Sequence, residues 1–361
     1  MADPGLALFR AYPAAQEKLP RAVFVGSPTA VEVLELGLEM PRGRLYVKRD
    51  ERSCPSYGGN KPRKLEFVIG DALQRGARTL VTTGGFGTNH GLATTILGRA
   101  VGLKTVLVLV QQPVTEAVRE TLLLQAAYGA RQVYGGNIPG AALQTLRVLA
   151  GSWVRGSRPV LVPTGGSSPR GNLGFVSAGL ELAEQVRSGE LPEPERVFVP
   201  VGSGGTLAGL VLGLRLARLR TRAVGVLVTD ILPPCPARLA RAARRTLRLL
   251  RQADPSVPSL PIAASDFPLI RSELGPGYGA PTPAAREAVE LAVRGGLSLD
   301  MTYAGKCLAA IVNCVRRGEL GDGPILFWNT YNAVEVALGA PRRTRPEELP
   351  GAIRRALART N

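Results

Sequence analysis

The fold is decided by four consecutive segments of the sequence: TLVTT (79–83), GLATTILGRA (91–100), TVLVLV (105–110) and TEAVRETLLLQAA (115–127). The first and third are short β-branched or apolar runs, which predict strands, and the second and fourth have the apolar spacing of helices. Strands connected through helices run parallel in one sheet, and such a sheet is buried on both faces. This stretch therefore predicts an α/β fold.

The same alternation resumes in the second half of the chain. It predicts strands at 160–163, 196–201, 223–228 and 324–328, and helices at 172–187 and 205–219. Ligands of open α/β sheets bind outside the carboxyl ends of the strands. We therefore expect the chemistry in the loops that follow the strands.

Length and composition exclude several classes of protein. A chain of 361 residues, 45% of them hydrophobic, can form two globular domains. No apolar run reaches the roughly 20 residues of a membrane-spanning helix, and residues 1–4 do not begin a secretory signal. The four cysteines show no CxxC spacing, and Cys307 and Cys314 lie on an apolar helical pattern typical of core residues. We expect a cytoplasmic protein without a metal site or a membrane partner.

The formal charge of +17 raises the question of a nucleic-acid partner. Of the 45 basic residues, only six are lysines, and the arginines are spread along the chain, which indicates a compositional bias. The densest group falls at helical spacing: Arg238, Arg241, Arg245 and Arg248. We interpret it as the solvated face of an amphipathic helix. A nucleic-acid or anionic-surface binding protein remains the alternative from another functional class.

Three glycine-rich turns follow predicted strands, at 83–90, 163–168 and 200–206. In the last of them, hydroxyl groups accompany three glycines: Gly202, Ser203, Gly204, Gly205 and Thr206. Backbone N–H groups of such a turn, together with a helix N-terminus, can hold an anion such as a phosphate. The turn matches neither a Walker A motif nor a dinucleotide fingerprint, which disfavours ATP and NAD. A simple tight turn is the alternative interpretation.

Two of the six lysines, Lys61 and Lys64, stand three apart in the segment YGGNKPRKLEF (57–67). This spacing places them on one face at the start of a predicted helix. Neighbouring cations and a helix N-terminus both lower the pKa of a lysine amine, and Schiff-base chemistry requires a neutral amine. An exposed basic helix start would explain the same pattern.

Together the motifs resemble a known family from about residue 24 to residue 333. They are GSPTAVE (26–32), VKRD (47–50), GGNKPRKLE (58–66), TNH (88–90), GSGGT (202–206) and YAGK (303–306). The chain is similar to pyridoxal-phosphate (PLP) enzymes of fold type II, in the group that contains D-cysteine desulfhydrase and 1-aminocyclopropane-1-carboxylate (ACC) deaminase. The resemblance implies the tryptophan-synthase-β-like fold, with two domains that each hold a mostly parallel sheet flanked by helices. It further implies a large PLP-binding domain at 1–63 and 171–361, a small inserted βαβ domain at 64–170, and a homodimer.

The resemblance also implies a role for individual residues. Lys61 corresponds to the Schiff-base lysine and Lys64 to a phosphate contact beside the 202–206 turn. Asn89 corresponds to the residue that bonds the cofactor's ring hydroxyl and the substrate, and Thr330 to the hydroxyl residue that faces the pyridine nitrogen. The remaining implied positions are the substrate-carboxylate contacts Thr88 and His90, the ring-stacking Tyr303, and the second active-site tyrosine, Tyr278.

The implied reaction is an α,β-elimination from a small amino acid, in which Lys61 removes the Cα proton and a 2-oxo acid and ammonia are released. ACC deaminases have glutamate at the position of Ala304 and glutamine at that of His90, so ACC ring opening is disfavoured. Leu92 and Tyr331 depart from the desulfhydrase pattern, which leaves the substrate and its stereochemistry open. Alternatives within the same chemistry are β-replacement, ACC deamination and racemisation of an unusual amino acid.

Overall fold

The computed structural model describes residues 5–26 and 28–358. Ser27 of the GSPTAVE motif, the first four residues and the last three lie outside the described part. The strands are β1 (Val31–Val33), β2 (Leu45–Lys48), β3 (Thr79–Gly85), β4 (Lys104–Val110), β5 (Arg131–Gly136), β6 (Pro159–Val162), β7 (Arg196–Val201), β8 (Arg222–Leu227), β9 (Leu269–Ile270) and β10 (Ile325–Trp328).

The helices alternate with these strands through most of the chain. They are α1 (Ala7–Ala11), α2 (Ala15–Lys18), α3 (Asn60–Gln74), α4 (Asn89–Ala100), α5 (Glu116–Ala127), α6 (Ile138–Val154), α7 (Pro169–Arg187), α8 (Gly205–Leu216), α9 (Pro236–Ala253), α10 (Pro283–Arg294), α11 (Ala304–Arg316) and α12 (Gly351–Ala358). Among the described residues, no helix combines the length and the apolar character needed to cross a membrane.

The smaller sheet has the order β5-β4-β3-β6, and all of its strands are parallel. Leu80, Val81, Leu107 and Val108 in its central strands are fully buried, because helices cover both faces. The predicted strands at 79–83 and 105–110 therefore form neighbouring strands of one parallel sheet, as expected.

The larger sheet has the order β1-β2-β10-β7-β8-β9, and only the β1–β2 pair is antiparallel. The last strand of the chain, β10, lies between β2 and β7, so distant segments of the sequence build this sheet together. Two mostly parallel sheets flanked by helices confirm the expected fold class. The predicted domain boundaries fall inside α3 and α7, and they remain a prediction.

Helices α7 and α8 pack closely beside the larger sheet. A Cβ atom on Gly213 would lie 3.1 Å from the Cα of Gly179 and 2.4 Å from the carbonyl oxygen of Val176, so only glycine allows this approach. The fully buried Trp328 of β10 packs on Phe175 of α7, with ring centroids 5.8 Å apart. This packing places the start of α7 beside the start of α8, next to the carboxyl end of β7.

Two further sequence interpretations concern the cysteines and the basic helix. All four cysteines are free thiols, and Cys307 and Cys314, both in α11, are buried. The arginine face of α9 is exposed, whereas Leu239, Leu247 and Leu250 of the same helix are buried. The helix is therefore amphipathic, as the spacing predicts.

Candidate active site

A cleft of about 590 Å³ opens where the carboxyl ends of the two sheets face each other. It is lined by the loops that follow β3, β4, β7, β8 and β10, together with the start of α3. The loops after strands therefore form the cleft wall, as expected for an open α/β architecture. Every residue that the sequence analysis assigns to the site lines this cleft except Gly205, which lies directly behind the lining glycines.

Lys61 lies in the first turn of α3, after a backbone that only glycine can form. Gly59 has a φ of 79°, and a Cβ on Gly58 would fall 1.7 Å from the carbonyl oxygen of Glu51. The Lys61 amine donates to Asn60 Oδ1 at 2.7 Å and lies 6.0 Å from the centre of the Tyr303 ring. Burial lowers the pKa of this amine to about 8, although Asp300 acts in the opposite direction. A large part of the amine is therefore neutral just above physiological pH.

Lys64, one turn further along α3, points towards the glycine-rich turn. It is 1% exposed, and its amine donates to the carbonyl oxygen of Gly165 at 2.6 Å and to Ser167 Oγ at 2.8 Å. Ser167 Oγ in turn accepts from the N–H of Gly205 at 3.2 Å and bonds Ser203 Oγ at 2.7 Å. Burial and the charge of Lys61 lower the pKa of Lys64 well below its ordinary value. Lys64 therefore lies directly at the predicted anion cradle.

The cradle joins the start of α8 to the start of α3. Gly204 has a φ of 85°, and Thr206 Oγ1 accepts from Asn60 Nδ2 at 3.1 Å. A Cβ on Gly205 would lie 2.4 Å from Ser167 Oγ and 2.9 Å from Lys64 Nζ. Side chains at these positions would fill the space that an anion needs.

The loop with Thr88, Asn89 and His90 opens α4 at the edge of the cleft. Thr88 caps the helix, because its hydroxyl accepts from the N–H of Gly91 at 3.1 Å. The N–H groups of Asn89 and His90 open the helix, where no preceding turn accepts from them. The exposed Asn89 side chain faces the cleft.

The His90 ring is buried and bonds away from the cleft. Its Nε2 lies 3.1 Å from Thr82 Oγ1, and that hydroxyl donates to the carbonyl oxygen of Val162 at 2.8 Å. Nε2 is therefore the protonated nitrogen and donates to Thr82. Burial, Lys61 and Lys64 lower the pKa of His90 well below its ordinary value, so the ring is neutral. Its Nδ1 has no hydrogen-bond partner among the described residues, and its backbone N–H lies in the first turn of α4.

Two tyrosines and Thr330 form the opposite wall. The hydroxyl groups of Tyr278 and Tyr303 are 2.6 Å apart, and burial raises the pKa of both. A Cβ on Gly202 would lie 3.3 Å from Tyr303 Cε1, so the glycine turn and this ring are in close contact. Thr330, two residues beyond β10, is 9% exposed. Tyr331 lines the cleft beside it.

Three further residues of this site are missed by the sequence analysis. Asp300 and Tyr57 line the cleft, and Ser167 connects Lys64 to the turn before α8. The Tyr57 hydroxyl donates to the carbonyl oxygen of Asn89 at 3.0 Å and so joins the start of α3 to the start of α4. Ser167 lies in the glycine-rich turn at 163–168, which follows a predicted strand, and Tyr57 lies in the lysine segment at 57–67, at the start of a predicted helix. These positions are the sequence signal that could have identified the two residues.

The described residues fit pyridoxal phosphate. Lys64 is a buried lysine that forms no ion pair with a carboxylate among the described residues, and a glycine cradle adjoins it. A phosphate group would supply the missing negative charge. The Lys61 amine, whose pKa is lowered, lines the same cleft 6.0 Å from the ring centre of Tyr303 and would react with the aldehyde of the cofactor.

Comparisons with known proteins agree with this fit. A family model described as "Pyridoxal-phosphate dependent enzyme" matches residues 25–330. The D-cysteine desulfhydrases of Salmonella paratyphi A and Salmonella typhimurium are each 34% identical over 327 residues, which cover 88% of this chain and 95% of theirs.

Solved structures give the same result. A crystal structure of an "ACC deaminase homologue" is 30% identical with a TM-score of 0.74, over 91% of this chain and 95% of that one. A threonine deaminase of Solanum lycopersicum, 15% identical with a TM-score of 0.57 over 91% of this chain and 85% of that one, shares the fold. These matches confirm the expected cofactor and fold class. The chain belongs to the family of pyridoxal-phosphate dependent enzymes.

Proposed function

We propose that this enzyme eliminates a β-substituent from a small amino acid to give a 2-oxo acid and ammonia. The substrate that we favour is D-cysteine, whose thiol group leaves as sulfide. The observation that carries the proposal is the Lys61 amine, whose pKa is lowered to about 8 by burial and which lies 6.0 Å from the ring centre of Tyr303 in the cleft. The similarity to D-cysteine desulfhydrases over nearly their full length supports the same reaction class.

Holding the cofactor and the substrate is the first task of these residues. Lys64, Ser203 and Thr206, with the N–H groups of the 202–206 turn, would hold the phosphate, and Thr330 would face the ring nitrogen. Asn89 would bond the ring hydroxyl and contact the substrate. The N–H groups at the start of α4, with the Thr88 hydroxyl, would bind the substrate carboxylate.

The chemistry then requires one base and one acid. When bound, pyridoxal phosphate withdraws electrons from the Cα of the amino acid and weakens its C–H bond. The neutral Lys61 amine takes the Cα proton, and the Cβ–S bond breaks with its electrons going to sulfur. Tyr278 or Tyr303, both protonated because burial raises their pKa, donates the proton that the leaving thiolate needs. Water then hydrolyses the remaining carbon–nitrogen bond at Cα, which releases ammonia and leaves the 2-oxo acid.

The test is a substrate screen of the PLP-loaded enzyme. D-cysteine should yield equal amounts of 2-oxo acid, ammonia and sulfide, whereas Lys61→Ala should yield none. ACC should be a poor substrate, because Ala304 replaces the glutamate of ACC deaminases and His90 their glutamine. Turnover by Lys61→Ala, or ammonia release from ACC but not from D-cysteine, would contradict the proposal.

We also propose that the chain acts as a cytoplasmic homodimer with domains at 1–63 plus 171–361 and at 64–170. Free, buried Cys307 and Cys314 suit a reducing compartment. The division of strands between the two sheets supports the domain assignment. Light scattering should give twice the chain mass, cell fractionation should find the protein in the cytoplasm, and limited proteolysis should cut between the two sheets. The mass of a single chain would refute the homodimer, and a secreted protein would refute the cytoplasmic location. Cuts confined to the termini would refute the domain boundaries.

A further inference from the structure

Asp300 stands directly before α11 and is held by the backbone on several sides. Its Oδ2 accepts from the N–H groups of Thr302 (3.1 Å) and Tyr303 (2.8 Å), and its Oδ1 accepts from that of Ala304 (2.9 Å). The carbonyl oxygen of Asp300 accepts from the N–H of Gly305 at 2.8 Å. The first turn of α11, and with it Tyr303, is therefore fixed relative to this carboxylate.

The carboxylate lies at the cleft that contains Lys61. Among the described residues that line the cleft, Asp300 is the one acid. The other titratable groups that line the described cleft are basic side chains or aromatic rings: Lys64, Arg238, His90, Tyr57, Tyr278, Tyr303 and Tyr331. Burial and Lys61 itself lower the pKa of Lys64, and burial together with Asp300 raises that of Tyr57 and Tyr278. The negative charge of Asp300 thus acts on Lys61 and on the surrounding tyrosines at once.

We propose that Asp300 is a positioning residue that fixes Tyr303 at the start of α11 and places the one acidic side chain of the described cleft lining in the cleft that contains Lys61. The inference rests on the proposed function, because it takes Lys61 as the lysine that alternates between base and acid. Such a group works best when its pKa lies close to the operating pH. Burial lowers the pKa of the Lys61 amine, and Asp300 opposes that effect.

A capping role alone would not require a charge. Asparagine and serine each keep one oxygen that can accept from these N–H groups, whereas aspartate uses two. Neutral residues at position 300 would therefore keep part of the support of Tyr303 while removing the charge from the cleft. The two roles of Asp300 can be separated by such variants.

The test follows the pH dependence of Lys61 labelling in the cofactor-free protein. Acetylation of Lys61 by a limiting amount of acetic anhydride is measured by mass spectrometry across the pH range, relative to an exposed lysine such as Lys104. In Asp300→Asn the midpoint for Lys61 should move about one pH unit lower, since a nearby opposite charge shifts a pKa by one unit or more. Asp300→Ser serves as a second neutral cap if the first variant folds poorly.

The matched control is Asp230→Asn. Asp230 Oδ1 accepts from the N–H of Tyr278 at 3.0 Å, so it also supports the tyrosine pair, but it does not contribute to the pKa of Lys61. Its variant should keep the wild-type midpoint.

An unmoved midpoint in both neutral variants, or an equal shift in Asp230→Asn, would overturn the inference. The proposed function is judged separately, because it fails if borohydride reduction of the wild-type holoenzyme does not attach the cofactor to Lys61.

Discussion

Lys64 is a buried amine whose described hydrogen-bond partners are neutral, and this makes it the clearest single-residue indicator of what the cleft binds. Its amine contacts only the carbonyl oxygen of Gly165 and the hydroxyl of Ser167 among described hydrogen-bond partners. Burial and the neighbouring Lys61 lower its pKa well below the ordinary value. A phosphate at the adjoining cradle would raise that pKa again, so phosphate binding should be coupled to proton uptake by Lys64.

Replacing Lys64 with methionine should therefore weaken PLP binding more than pyridoxal binding. The ratio of the dissociation constants for pyridoxal and PLP should fall about tenfold or more, the size of a lost charge-assisted hydrogen bond. Titration of the cofactor-free proteins by absorbance measures both constants. Lys104→Met, at an exposed position, is the control. A ratio in Lys64→Met that equals the wild-type ratio would remove Lys64 from the phosphate site.

At this scale the sequence predicts the lysines well and the acid poorly. Lys61 and Lys64 stand out because lysine is rare here and their spacing matches a helix face. Asp300 gives no such signal, because one aspartate before a tyrosine is typical of an ordinary turn or cap. Its meaning depends on the folding of α11 against the cleft.

Helix α3 is the element that positions both lysines, and its first turn packs against backbone on two sides. The N–H of Gly59 donates to the carbonyl oxygen of Asp50 at 2.7 Å, and that of Gly58 donates to Asn332 Oδ1 at 2.5 Å. A Cβ on Gly59 would lie 2.4 Å from the carbonyl oxygen of Thr330. The start of α3 is thereby tied to the segment that follows β10, where Thr330 lines the cleft.

Gly58→Ala should lower the melting temperature and abolish tight PLP binding together, because the new Cβ would collide with the Glu51 carbonyl and displace the start of α3. Thermal unfolding by circular dichroism and a PLP titration measure the two effects. Gly26→Ala is the matched control, since no atom lies within 4 Å of its added Cβ. If Gly58→Ala retains the wild-type melting temperature and PLP affinity, this account of α3 is wrong.

Elements with strong periodicity are predicted, and short or mixed ones are not. The strands at β3, β4, β7 and β8 read as apolar runs because both of their faces are buried. Sequence patterns do not predict β1, which has three residues, or β5, whose sequence RQVYGG mixes polar residues with glycines. The place of β10 between β2 and β7 depends on pairing between distant segments, which local patterns do not encode.

Across the whole molecule, a buried ion network joins the larger sheet to α3 and α7. Arg63 of α3 bonds Asp50 at 2.8 Å and Glu181 of α7 at 3.0 Å, and Lys48 of β2 bonds Glu181 at 2.7 Å. These four side chains are at most 1% exposed, and Trp328 Nε1 donates to Asp50 at 2.8 Å. Burial opposes the charge of Glu181, yet Arg63 and Lys48 outweigh it and hold its pKa well below the ordinary range.

Glu181→Gln should destabilise the protein by about 3 kcal/mol or more at neutral pH, because it leaves two buried cations undercompensated. The stabilisation by Glu181 is present above its unfolded pKa of about 4.3 and is lost as the pH falls towards its folded value. The gap in melting temperature between wild type and variant should therefore stay constant from about pH 7 to about pH 5 and shrink as the pH falls below about 4.

Glu184→Gln on the same helix is the control, since its ion pair with Arg10 is about 40% exposed and such pairs contribute roughly 1 kcal/mol at most. An equal loss of stability in both variants would show that the network is not specially stabilising.

The central claim is that Lys61 anchors the cofactor, and trapping the cofactor tests it most directly. The absorbance spectrum of the purified protein is recorded before and after borohydride reduction, and the modified peptide is then mapped by mass spectrometry. We expect a near-visible band that reduction abolishes, a PLP adduct on Lys61, and neither in Lys61→Ala. An adduct on Lys64 or another lysine, or no band even after PLP is added, would contradict the account.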